Sequence, residues 1–271
     1  MSSFFMRRST QSMSGESPVR RKPGFRSLFA FLSIALLFTA CSQNNVTVDN
    51  SFKKYLDSAG INGSFGMFDN GQGKFTIYNL NRFRDSAYLP AGTFDILQGL
   101  IGVQTGLVKD DSALLKTDRD NGFGLLAQRI GKDTLKKWID SLGYGNKNIG
   151  GPIDSFWLNN HLKITSDEQL GLIKKLYFDQ LPFYQHTQLL VRQALLTEKN
   201  ANYQLTYKAA RGTGENGHAI GWILGWVEEN KHPYFFVLNL ESANADLDVL
   251  HTGLPVLKGI LAQMGFFQGK K

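Results

Sequence analysis

Cysteine is almost missing from this sequence. Cys41 is the only one in 271 residues, so no intrachain disulfide can hold the fold together. Phosphate-binding loops and dinucleotide fingerprints are missing too, and Gly122-Phe123-Gly124 is too short to count as either. Metal-ligand spacing is also absent. Asp95, Asp118, Asp120 and His251 could face one cavity and hold a cation, but their separations match no metal motif. There is no internal repeat. These absences leave a chain held by its apolar core, with no cofactor expected.

Basic charge is plentiful, but it sits in one place. The first forty residues carry six of the 30 basic side chains and one of the 23 acidic ones, which leaves 24 and 22 and a net charge of +2. No nucleic-acid partner follows from the whole-chain pI of 9.4. Arg20, Arg21, Lys22 and Arg26 precede the apolar run Leu28–Phe38. That run has the length of a signal-peptide core and falls short of the roughly 20 residues needed to span a bilayer. It ends Phe38-Thr39-Ala40-Cys41, which resembles a bacterial lipoprotein box, with Phe38 where leucine is usual. The expectation is a signal peptide over 1–40, lipid attached at Cys41, a tether over 41–50 and one domain over 51–271. An uncleaved anchor with an incidental cysteine is the alternative.

Within that domain, Gly66–Phe68 and Lys74–Tyr78 flank the Gly-rich segment Asp69–Gly73 and predict a hairpin. Thr93–Val103 predicts a largely buried helix, with Gly106 as its stop. Leu125–Leu142 predicts a helix broken near Gly131, and Leu189–Leu196 a short one. Asp167–Tyr177 predicts another, capped by Ser166 with Gln169 completing a capping box. Tyr203–Tyr207, Ala219–Glu228 and Tyr234–Glu241 predict strands, with turns at Gly212–Gly217 and Glu229–Lys231. A helix over Leu250–Met264 closes the chain. The fold class is α+β: an antiparallel sheet packed between helices, with an inserted helical lobe.

Residues Pro90–Ile96 read Pro-Ala-Gly-Thr-Phe-Asp-Ile. Further along stand Tyr144-Gly145-Asn146, Asp154-Ser155-Phe156-Trp157-Leu158 and Ile164–Gln169, then Ile220-Gly221-Trp222 and Gly225-Trp226-Val227-Glu228. Together, over Phe52–Phe267, these resemble the class D β-lactamases, in the serine β-lactamase and penicillin-binding transpeptidase superfamily. That family reads Pro-Ala-Ser-Thr-Phe-Lys-Ile in the first motif. The resemblance therefore puts Gly92 in the frame of the nucleophilic serine and Asp95 in the frame of the general-base lysine.

The remaining site positions implied by the resemblance are altered as well. Asp118, with Asn121 nearby, falls in the frame of the second serine, and the stretch from Asp95 to Gly124 is shortened. Lys208-Ala209-Ala210 stands where the family has Lys-Thr-Gly, and a methyl at Ala210 would crowd a ligand approaching the strand. Lys208 reads more readily as an ordinary strand lysine, because its family partners are missing. Arg211-Gly212-Thr213-Gly214 reads as a turn. His251 takes the frame of a carboxylate-binding arginine, though a lone histidine there is more commonly a capping or packing residue. Trp157 matches a tryptophan lying against the active-site lysine in the family. Thr93, the next hydroxyl after Gly92, is rotated about 100° off the pocket face. Glu241–Asp246 forms a polar loop near the same mouth.

Three readings follow. The first is a catalytically inactive envelope lipoprotein, membrane-held by its lipid, that binds a peptidoglycan fragment or a protein partner noncovalently. The second is a hydrolase with a relocated nucleophile such as Thr93 or Ser242. The third is a structural envelope protein with a filled site. A buried Asp95 needs a donor or a proton, and Lys208 is expected to approach it.

Overall fold

A computed structural model describes residues 45–108 and 122–271 of the chain. The expected leader 1–40 and Cys41, together with Asp118, Asp120 and Asn121, lie outside the described residues.

Strands β1 (Val46–Val48), β2 (Asn62–Asp69) and β3 (Lys74–Tyr78) come early in the chain. Strands β6 (Leu196–Lys199), β7 (Gln204–Thr213), β8 (Ala219–Glu229) and β9 (His232–Ser242) come late. They make one seven-stranded sheet in the order β1-β3-β2-β9-β8-β7-β6, antiparallel except for β1 against β3. Period-two alternation sorts the side chains. In β8, Ile220, Trp222, Leu224 and Trp226 join one core, while Ala219, Ile223 and Val227 join the other. Phe235 and Val237 of β9 face the first core, and Phe236, Leu238 and Leu240 face the second. Both faces are covered, so β8 and β9 read as almost unbroken apolar runs. Gly225 is required where β8 crosses β7, since a Cβ there would lie 2.0 Å from the Thr206 carbonyl oxygen.

Helices α1 (Lys53–Ser58) and α8 (Leu254–Gln263) contribute Leu56, Leu257, Ile260 and Leu261 to the second core. The remaining helices cover the other face. They are α2 (Leu80–Asp85), α3 (Asp95–Gln104), α4 (Gly122–Ile130), α5 (Lys132–Leu142), α6 (Ser166–Tyr177) and α7 (Gln185–Ala194). Helix α3 is buried along most of its length, as its continuous apolar sequence predicts. A two-stranded sheet, β4 (Ala87–Tyr88) with β5 (Ile164–Thr165), ties the entry of α3 to the lobe. The expected α+β architecture is the one observed. No helix among the described residues is long and apolar enough to cross a membrane.

Several local expectations are corrected. The end of the proposed tether is structured: Val46–Val48 pairs with Phe75–Ile77 because alternating β-branched side chains find an open sheet edge. Arg211–Thr213 is strand rather than turn, since pairing with β8 continues through Thr213↔Ala219. The cap of α6 is Thr165, with Glu168 reciprocating, one residue earlier than expected. That phase turns Gln169 inward. Helix α7 starts at Gln185 and stops before Leu196, which opens β6. The expected helix from Leu250 starts with a π turn at Val249–Gly253 before α8.

Candidate functional site

The chain enters α3 through a 3-10 turn, Ala91–Phe94. Ala91 sits at φ +49, a left-handed conformation that costs energy for a residue with a Cβ. It is held there from outside: its N–H donates to the Trp157 carbonyl at 3.1 Å, and its side chain is buried. Phe94 packs among Tyr144, Phe156 and Trp157, with Trp157 stacked on it at 5.6 Å. The turn therefore presents Gly92 and Asp95 at a fixed place opposite β7. A Cβ on Gly92 would lie 3.4 Å from both the Ala210 methyl and Asp95 Oδ2, an ordinary contact, and its φ is not in the left-handed region. Neither space nor backbone demands glycine at 92.

Asp95 and Lys208 meet across the site. Lys208 Nζ donates to Asp95 Oδ2 at 2.9 Å, with only 16% and 7% of the two side chains exposed. The expected approach of these residues is thus observed. Such a pair gains Coulomb energy in a low-dielectric setting but has surrendered hydration to do so, and its main effect is to fix an arrangement.

Gly92, Asp95, Trp157 and Ala210 line a cleft of about 180 Å³, together with Phe123, Asp154, Leu158 and Arg211. A second cleft of about 260 Å³ shares Ala210 and Arg211 and adds Leu195, Leu196, Lys208, Ala209 and Leu250. Other expected members are elsewhere. Thr93 is fully buried; its hydroxyl donates to the Pro90 carbonyl at 2.6 Å and accepts from Gln169 Nε2 at 2.7 Å. It lines neither cleft, because the step from Gly92 turns it inward. His251 is exposed within the π turn, where its backbone N–H donates to Asp248 at 2.9 Å, and it too lines neither cleft. Ser242 ends β9 opposite Ala219, accepts from the Asn244 N–H at 3.1 Å and is likewise outside both. Among the described residues no group of three or more His, Cys, Asp or Glu side chains could hold a metal.

Asp154, Leu158 and Arg211 are site residues that the sequence reading did not single out. The signal was available for two of them, since Asp154 and Leu158 flank Trp157 in one motif. Arg211 was hidden by its neighbours, because Gly212 and Gly214 read as turn residues.

A second charged cluster lies between α2 and the end of β9. Arg82 on α2 donates to Glu241 at 2.8 Å and to Asn239 Oδ1 at 2.9 and 3.1 Å, and covers the Tyr88 ring at 4.4 Å. Asn216 and His218 also reach Glu241 at 3.0 Å. Burial pushes the Glu241 carboxyl up, but the hydrogen bonds from Arg82, Asn216 and His218 outweigh it and hold the group at about 2. Tyr144, beside Phe94, is pushed well above the ordinary tyrosine range by burial.

The family described as "Penicillin binding protein transpeptidase domain" matches residues 114–262, a stretch that begins after Gly92 and Asp95. Beta-lactamase OXA-48 of Klebsiella pneumoniae is 34% identical over 200 residues, covering 66% of this chain and 74% of that protein. Beta-lactamase OXA-10 of Pseudomonas aeruginosa is 29% identical over 254 residues, covering 85% and 95%. The solved structure of the class D β-lactamase YbXI from Nostoc superposes with a TM-score of 0.71 at 30% identity, covering 80% of this chain and 99% of that one. Shared sequence along most of the chain, and a shared fold, make this chain a member of the class D β-lactamase family.

Proposed function

We propose that the chain is a catalytically inactive class D β-lactamase homologue that binds a cell-wall peptide fragment noncovalently. The observation that carries this reading is the Lys208–Asp95 ion pair beside Gly92. In the family frame Gly92 takes the nucleophile's place and has no atom with which to attack a carbonyl. Asp95 takes the base's place, and its carboxylate is engaged by Lys208. The cleft around them is open, which favours a binding role over a filled, purely structural site. Among the described residues the two candidates for a relocated nucleophile are poorly placed: the Thr93 hydroxyl is buried between the Pro90 carbonyl and Gln169, and Ser242 lines neither cleft. Exposure to a labelled penicillin, followed by intact-protein mass spectrometry, should give no covalent adduct. An adduct on Thr93, or on any serine, would overturn the proposal.

The reading extends to location. Cys41, after the run Leu28–Phe38, supports lipid attachment in the cell envelope following removal of 1–40. Cys41→Ser should release the protein from the membrane fraction and block processing. Unchanged membrane association would point to an uncleaved anchor instead.

A further inference from the structure

Two residues along β7 from Lys208, the sheet carries a groove that shares no lining residue with either cleft. Strand register builds its floor. Thr197 on β6, Thr206 on β7 and Trp226 on β8 stand side by side, and Gln204 with Glu228 forms the next row. Tyr177 at the end of α6, with Arg192 and Gln193 of α7, completes a groove of about 390 Å³. None of its lining side chains is aliphatic.

Most of the polar groups here are committed to one another. Arg192 is neutralised by Asp179 and donates to the Leu176 carbonyl as well. Gln204 donates to the Thr206 hydroxyl at 3.5 Å, and the Thr206 and Thr197 hydroxyls share a hydrogen bond at 3.2 Å. Burial and the neighbouring Glu228 push the Tyr177 phenol above the ordinary tyrosine range, and it donates to Glu228 Oε1 at 2.7 Å. Two groups are left over. Trp226 is 3% exposed, and its Nε1–H has no hydrogen-bond partner among the described residues. A buried donor in that condition is costly and calls for an acceptor. Glu228 forms no ion pair among the described residues, and its second oxygen takes none of the hydrogen bonds made there.

These two groups select the chemistry of a ligand. It must accept from the indole and donate to the carboxylate. A carboxylate or phosphate cannot donate and would be repelled by Glu228. An ammonium group cannot accept, and an apolar side chain would find no aliphatic wall. Hydroxyl groups do both. Tyr177 and Trp226, packed edge to face at 5.3 Å, add aromatic surface beside those polar groups. We infer that this groove is a second binding site and that it takes a neutral saccharide, with Trp226 Nε1 donating to one sugar oxygen and Glu228 accepting from a neighbouring hydroxyl. The site stands apart from Gly92 and does not depend on what the clefts there bind.

The test is calorimetric titration of the purified full-length protein at neutral pH. The neutral probes are the methyl β-glycosides of glucose, galactose and N-acetylglucosamine. The charged ones are methyl β-glucuronide and methyl β-glucosaminide. At least one neutral glycoside should bind, about tenfold or more tightly than either charged probe. Glu228→Gln keeps the side-chain shape and removes the charge. It should weaken that binding about tenfold and relax the discrimination against the glucuronide. Trp226→Phe keeps an aromatic ring without the donor and should weaken binding about fivefold. Should that buried variant fail to fold, Glu228→Gln at its half-buried position carries the test. The inference is overturned if no neutral glycoside binds, or if the folded variants bind as wild type does. Preference for the glucosaminide would overturn it too, and would mark a cation site instead.

Discussion

Two largely buried ion pairs sit on this sheet and differ in what surrounds them. Arg82–Glu241 is saturated: the guanidinium also holds Asn239 and covers Tyr88, and the carboxylate also takes Asn216 and His218. Lys208–Asp95 stands at a boundary, with Asp95 lining one cleft and Lys208 the other. The first arrangement is what a pair looks like when it serves the fold. The second leaves its charges within reach of whatever enters the clefts. Burial alone does not tell these roles apart; the position against the clefts does.

The two pairs separate most clearly when one acid is removed. Glu241→Ala leaves Arg82 buried without its counter-charge and should cost about 3 kcal/mol in urea unfolding at neutral pH. Because the folded Glu241 carboxyl is held at about 2, below its ordinary value of 4.5, its stabilising contribution is present above that ordinary value. It is lost as pH falls from there toward 2. The gap between wild type and Glu241→Ala should therefore close over that acidic window, and a gap that persists at pH 2 would show that the charge is not the cause.

A smaller effect is expected at the cleft. Lys208→Met should cost about 2 kcal/mol, because the opening lets water reach Asp95. Replacing both partners, Asp95→Asn with Lys208→Met, should come within about 1 kcal/mol of wild type in the same measurement. A double variant as unstable as the single one would mean that the site has structural duties beyond the pair.

The smallest effect tests a local device that neither pair touches. Thr165→Ala removes the capping box of α6 and should cost about 1 kcal/mol in the same assay. No change would mean that β4–β5 pairing alone sets the start of this helix.

Much of the fold is legible in the sequence alone. The alternation in Ala219–Glu228 and Tyr234–Glu241 marked the central strands, because the two cores select opposite faces of each. The segments missed or misjudged are short ones whose structure is set from outside. Val46–Val48 is a strand only because β3 offers an edge. Arg211–Thr213 continues β7 only because β8 stays in register beside it. The site was partly legible in the same way. Lys208 and Asp95 were expected to meet from the family order and the need of a buried acid for a donor. Arg211 was not expected in the site, because its glycine neighbours argued for a turn and strand pairing overrode that local preference. Thr93 was expected to point away from the cleft, and helical geometry at a fixed turn sufficed for that.

The distance along the chain between Asp95 and Lys208 carries one more consequence. The two residues are 113 positions apart, so their contact closes a long loop, and helix and hairpin contacts made over short spans come at far lower entropic cost. A contact of this kind belongs to the late stages of folding. Loosening it with Asp95→Asn should therefore leave the refolding limb of a chevron plot nearly where it was and raise the unfolding limb. In that case the pair acts as a latch on the finished molecule, governing how long β7 and α3 stay closed on each other rather than how quickly they find one another.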